Sequence, residues 1–169
     1  MNLKRYSMRK FLLYLVAFVA VAGQVACNSA KFPIDEQPAV KIDSRLLGKW
    51  MVKGKHKDNV TYTVARQSDY QYLITFKEKK NEPEQHTAFL SDINKVMFFN
   101  IHGKDDSGDS YVFFRVLDIN AKADRVTVAT LADSTMRYLK SAAEVRERIT
   151  KNLENASFYE DTMKFYKVK

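Results

Sequence analysis

The chain is poor in the residues from which many small sites are built. Of its 169 residues one is cysteine, three are histidine, three proline and five glycine. A single thiol excludes an internal disulfide framework and a cysteine-based zinc finger, both of which need more than one. His56, His86 and His102 are dispersed in or beside three separate turns. No pair has the i, i+4 spacing that puts two imidazoles on one helical face, so they read as exposed loop residues. Glycine and proline are too scarce for a collagen-like repeat. The 46% of hydrophobic residues and 12% of aromatic ones suffice to bury a core, which excludes a disordered tail, and the 28% of charged residues argue against a polytopic membrane protein. The length fits one domain with appendages.

The first ten residues lack any acid and carry Lys4, Arg5, Arg9 and Lys10. Thirteen uncharged, almost wholly apolar residues follow, Phe11 to Gly23, and then Gln24-Val25-Ala26-Cys27. A basic start, an apolar run of this length and a small-residue exit are the three parts of a secretory signal peptide. The run falls short of the roughly 20 residues that span a bilayer. It reaches that length only by including Gln24, Asn28 and Ser29, which leaves an uncleaved anchor helix as the alternative.

Val25-Ala26-Cys27, at the end of that run, resembles the lipobox of bacterial lipoproteins, with Gln24 where such boxes usually carry leucine. The resemblance covers residues 1–27. It implies cleavage after residue 26, acylation (palmitate among the chains) at Cys27, and an envelope protein lipid-anchored to a membrane, the outer membrane or cell surface rather than the inner one. Removing residues 1–26 takes away four basic and no acidic side chains, which leaves 24 basic against 20 acidic groups and a net charge of +4. Mixed charge of that size gives no footprint for nucleic acid.

Residues 28–44 hold Pro33 and Pro38 and no sustained periodicity, so 27–44 reads as the lipidated cysteine and a tether, with a short helical turn near 43–47. From residue 45 the pattern is strand after strand: 48–53, 60–64, 70–76, 87–91, 96–101, 110–117 and 125–131. These runs are rich in Val, Ile, Tyr, Phe and Thr and separated by turn clusters about 10 residues apart. The period then changes. Ser141-Ala142-Ala143-Glu144 has the form of a capping box, and Val145, Ile149 and Leu153 make one apolar stripe over 141–154. A last strand follows at 161–168. The expectation is an all-β domain over 45–169, an eight-stranded antiparallel up-and-down barrel with a helix before the last strand; a two-sheet sandwich is the competing fold.

Leu46-Leu47-Gly48-Lys49-Trp50 places a Gly-x-Trp at the start of the first strand, and this resembles the lipocalin-like (calycin) barrels. The resemblance implies that Trp50 closes the barrel floor against a basic side chain from a late strand, for which Arg115 is a candidate. It also implies room for one small ligand. Trp50, Tyr72, Phe98, Tyr111, Phe113 and Arg115 are the candidate ligand-binding residues, with Arg115 facing either a protein carboxylate or a fatty-acid-like anion. Most aromatic rings on the strands simply fill the core. Met97, Phe98 and Phe99, and Tyr111 to Phe114, are apolar on both faces, so something must cover the outer one: the helix over one strand pair, and a partner surface or ligand mouth at the other.

Other constellations read as structure. Asp105, Asp106 and Asp109 lack the spacing of a calcium loop, and Asp and Gly between two aromatic strands are hairpin chemistry. Lys77, Lys79, Lys80, Glu78, Glu82 and Glu84 mark a solvated hairpin tip. The sequons at Asn59 and Asn155 would matter only in a eukaryotic secreted protein. His102 with the 105–109 acids gives a weaker hydrolase reading, and no nucleophile signature accompanies it. The expected function is therefore non-catalytic and needs no cofactor: binding a small apolar or amphipathic molecule in the barrel. The alternative is an accessory subunit of an envelope protein complex, with a filled barrel and an apolar outer patch.

Overall fold

A computed structural model of the chain describes residues 29–52, 60–78, 81–105 and 108–168. The leader, Cys27, His56, the Asn59 sequon, Lys79, Lys80 and Asp106 lie outside the described residues. Eight strands run β1 Gly48–Val52, β2 Val60–Arg66, β3 Tyr72–Glu78, β4 Glu84–Ile93, β5 Val96–Asp105, β6 Gly108–Ile119, β7 Arg125–Leu131 and β8 Tyr159–Lys167. Each pairs antiparallel with the next, and β8 returns to β1 through Trp50↔Lys167 and Val52↔Phe165, which closes the barrel. Closure leaves no unpaired sheet edge. The helix α1, Ala142–Lys151, lies between β7 and β8. Among the described residues no helix is long and apolar enough to cross a membrane.

Several strands are longer than their apolar runs. Glu84, Gln85 and His86 read as a turn because they are polar, yet they pair with Phe76, Thr75 and Ile74. Backbone pairing continues there although the side chains approach solvent. His86 and His102 accordingly lie on β4 and β5 rather than in loops. Between β4 and β5, Asn94 and Lys95 both take positive φ (53° and 70°). That is the two-residue turn whose twist matches a hairpin.

Cross-strand register sorts the side chains into two cores. Leu90↔Phe99↔Phe114 and Ala88↔Ile101↔Val112 face inward. Leu90, Ala88, Phe99, Ile101 and Phe114 join Trp50, Tyr72, Val126 and Val128 in one apolar cluster. One residue along, Ser91↔Phe98↔Arg115 and Phe89↔Asn100↔Phe113 face outward. Phe98 and Phe113 are buried there against Val145, Ile149 and Leu153 of the helix segment, with Ile34 and Met136.

The helix starts as its sequence dictates. Ser141 Oγ accepts from the Glu144 backbone N–H at 3.2 Å, while the Glu144 carboxylate accepts from Lys140 N (2.8 Å), one residue ahead of the cap. Arg115 holds the other end: its Nη1 donates to Leu153 O at 2.8 Å, and its guanidinium lies 4.8 Å from the centre of the Tyr159 ring. A cation at the carbonyl end of a helix satisfies groups that have no intrahelical donor.

The segment that reads as a tether is, over its described part, a strap on the barrel wall. Ala30 exchanges both backbone hydrogen bonds with Tyr111 (2.9 and 2.8 Å), and Ile34 is fully buried. The reason is Asn100, a polar residue buried in the outer core. It accepts from Ile34 N at 2.8 Å and donates to Ser91 Oγ at 2.9 Å. Arg146 of α1 pins the strap by an ion pair with Asp35 at 2.9 Å and a hydrogen bond to Asp92 O. At the far end Asp43 N donates to Tyr72 Oη at 2.6 Å.

Candidate functional site

One end of the barrel is a built floor. Gly48 has φ +126°, open to glycine alone among ordinary residues. A Cβ there would stand 2.9 Å from Lys167 Cε. Lys167 thereby reaches over the indole of Trp50, its Nζ 5.2 Å from the ring centre, and donates to Arg45 O at 3.0 Å. Trp50 Nε1 donates to Leu46 O at 2.8 Å, so the buried indole leaves no polar atom unpaired. A 3-10 turn, Ser44–Leu46, closes beneath it, capped by the Asp43 side chain accepting from Arg45 N. The Arg45 side-chain hydrogen bond holds the Asp43 carboxyl below its usual range.

The basic partner of Trp50 is thus Lys167, not Arg115. Register explains the exchange: Lys167 lies directly opposite Trp50 on β8, whereas Arg115 lies opposite Phe98 on the outer wall.

Above the floor the lumen is apolar. Tyr72 is fully buried, its ring edge-on to Phe99 with centroids 6.1 Å apart. Burial pushes its phenol up to about 12, and the Asp43 N–H donated to its oxygen offsets only part of that. Farther along, Tyr62 meets Phe76 and Phe165 edge-on at 5.5 and 5.2 Å. Burial first, then the Glu78 carboxylate, raise the Tyr62 phenol as well. Floor residues Trp50, Tyr72, Ala88, Leu90, Val126 and Val128 are shut off from solvent. By contrast Tyr62, Ile74, Phe76, Ile101, Phe114 and Met163 keep partial exposure. Val64 and Met97, inward-facing and nearer the floor, are likewise only partly buried, so the lumen keeps apolar surface within reach of water along much of its length.

The inner rim crosses four strands through Ile74↔His86 and Gly103↔Ser110. Gly103 makes room for the imidazole of His86, whose Nδ1 would stand 3.3 Å from a Cβ at that position. His86 Nε2 is 3.7 Å from the Glu84 carboxylate.

Of the six residues expected to line one cavity, Trp50 and Tyr72 face the lumen, both at its floor. Phe98, Tyr111, Phe113 and Arg115 all face outward, under or beside α1 and the strap. The six therefore do not converge, and Arg115, committed to Leu153 O and the Tyr159 ring, supplies no cation to the lumen. The residues that do line it, Tyr62, Ile74, Phe76, Phe99, Ile101, Phe114, Met163 and Phe165, carried a signal in the sequence. It is the period-two alternation within each strand.

His102 pairs with Asp109 at 2.9 Å and stacks on Tyr111 (centroids 4.8 Å apart), on the outer wall rather than in a cleft. Among the described residues no three His, Cys, Asp or Glu side chains are grouped to hold a metal ion. Comparison with protein-family models, with curated proteins and with solved structures finds no match to this chain.

Proposed function

We propose that the chain is a membrane-anchored envelope lipoprotein whose barrel takes up a small apolar or amphipathic molecule. One observation carries the ligand reading: aromatic and aliphatic side chains that point into the barrel stay only partly buried, while Lys167 packs over Trp50 at the floor. Apolar surface open to water inside a concave wall gains free energy when a ligand displaces that water, at about 25 cal/mol per Å² covered. The lipocalin-like resemblance is in keeping with the Gly48, Trp50 and Lys167 arrangement.

The rival role, an accessory subunit offering an apolar outer patch, has less support. The outer rings Phe98 and Phe113 are covered from within the chain by α1 and the strap. For the anchor, the support is the leader and Cys27 three residues ahead of Ala30, where the strap joins the wall.

Titration with 1-aminoanthracene, a neutral apolar fluorophore, tests the lumen. Saturable one-to-one enhancement that Ile101→Trp abolishes supports it; enhancement indifferent to Ile101→Trp contradicts it. Labelled palmitate tests the anchor: incorporation should vanish in Cys27→Ser.

A further inference from the structure

Beside the point where the strap meets the barrel lies an open groove of about 350 Å³, lined by Lys31, Phe32, Arg137, Tyr138, Leu139 and Lys140. Two segments distant in sequence build it. Lys31 and Phe32 follow Ala30, which is held on β6. The other four come from a 3-10 turn, Ser134–Tyr138, and the two residues after it. That turn is fixed from both sides. Asp133 caps it and pairs with Arg148 at 2.7 Å, and Met136 is buried in the outer core. Arg137 Nε donates to Ser134 O at 3.1 Å, with the guanidinium 5.1 Å from the centre of the Tyr138 ring.

Two features set this surface apart. Tyr138 is 69% exposed and Phe32 37%, side by side with Leu139 only partly covered. Lys31, Arg137 and Lys140 form no ion pair among the described residues, whereas Arg146 and Arg148 on the adjoining helix are both paired with aspartates. Amphipathic aromatic rings with unpaired cations are the composition that rests at a bilayer interface. The position agrees: Cys27 is three residues from Ala30, a reach of at most about 10 Å, so a chain held in a membrane at or before residue 27 brings this groove to the headgroups. Ala30 joins β6 at Tyr111, nearer the hairpin end of that strand than its floor end.

We infer that the groove formed by Lys31, Phe32, Arg137, Tyr138 and Lys140 docks on the anionic phospholipid headgroups of the membrane that anchors the chain, turning the end of the barrel away from Trp50 toward the bilayer. This rests on the anchored reading. It adds a second, headgroup-selective contact, one that a lipid anchor alone does not supply. Three unpaired cations close to an anionic leaflet give about a hundredfold preference over neutral lipid.

The test uses the full chain in nanodiscs of phosphatidylcholine alone or with one quarter phosphatidylglycerol, read by hydrogen exchange. Amides of 134–140 should exchange about tenfold more slowly in anionic than in neutral discs. The difference should vanish in Lys31→Glu/Arg137→Glu/Lys140→Glu. It should shrink in Lys31→Gln/Lys140→Gln, which keeps the bond of Arg137 to its own turn. Equal exchange in the two lipids, or a difference that survives the charge reversal, overturns the inference. Equal slowing by inorganic phosphate without lipid overturns it too, because the groove would then be a soluble-anion site. Recovery in neutral discs reports the anchor independently, so failure of the groove and failure of the anchor are read apart.

Discussion

Replacing Asn100 by leucine, close to it in size, should cost the protein about 3 kcal/mol. Asn100 is fully buried on the outer wall of β5, and its amide joins three elements: it accepts from Ile34 N (2.8 Å), donates to Ser91 Oγ (2.9 Å) and lies 3.5 Å from Phe89 O. Leucine keeps the volume and removes every partner. The Ile34 N–H and the Ser91 hydroxyl, both buried, are then left without one, at about 1–3 kcal/mol each, partly offset by the apolar side chain gained. Urea unfolding of residues 29–169, a boundary that keeps the Ala30 bridge, measures the loss, with about a 10 °C fall in Tm alongside. A double-mutant cycle sharpens the reading. Ser91→Ala removes one orphan in advance, so the double variant should lose about 1 kcal/mol less than the sum of the singles. Hydrogen exchange should show the Ile34 amide opening while β2 and β3 stay protected. A loss below about 0.5 kcal/mol, or strict additivity with Ser91→Ala, would refute the claim that this amide fastens the strap.

Three further outcomes follow from the same geometry. Gly48→Ala should lower stability by about 1–3 kcal/mol, because alanine is strained at φ +126° and its methyl meets Lys167 Cε; an unchanged Tm would contradict this. Lys167→Met should cost about 1 kcal/mol and shift the emission of Trp50, the only tryptophan, since the cation leaves its face; unaltered emission would show that the pair is incidental. For Asp133, burial raises the carboxyl, but hydrogen bonds from Arg148 and Thr135 more than reverse that and leave it below its usual 3.8. A folded value below the unfolded one contributes stability that is full above the unfolded value and is lost as pH falls through the folded one. Asp133→Asn should therefore flatten the acid limb of a stability–pH profile, and an identical limb would remove Asp133 as its cause.

The barrel itself was legible from period-two runs at regular spacing and one helical stripe. Val145, Ile149 and Leu153 face the core as the stripe demands, and Ser141 caps the helix. What the sequence obscured was which face of β5 and β6 is inside. Both faces of 97–101 and 111–114 are apolar, because one lines the lumen and the other lies under α1 and the strap. Alternation then carries no sign. Phe98 and Phe113 therefore read as lumenal in the sequence although they belong to the outer core. Asn100 held the clue, since a lone polar side chain in such a strand needs a partner outside the ladder. Lys167 was hidden for a different reason: a lysine two residues from the end of the chain has no local signature of packing on an indole 117 positions earlier.

If the lumen holds a small apolar molecule, a native mass spectrum of residues 29–169 purified from cells should carry it. An adduct of lipid or metabolite mass is expected, removed by organic extraction, restored on re-exposure to the extract, and absent in Ile101→Trp. A bare polypeptide mass before extraction that stays bare on exposure to a cell-envelope lipid extract would contradict it.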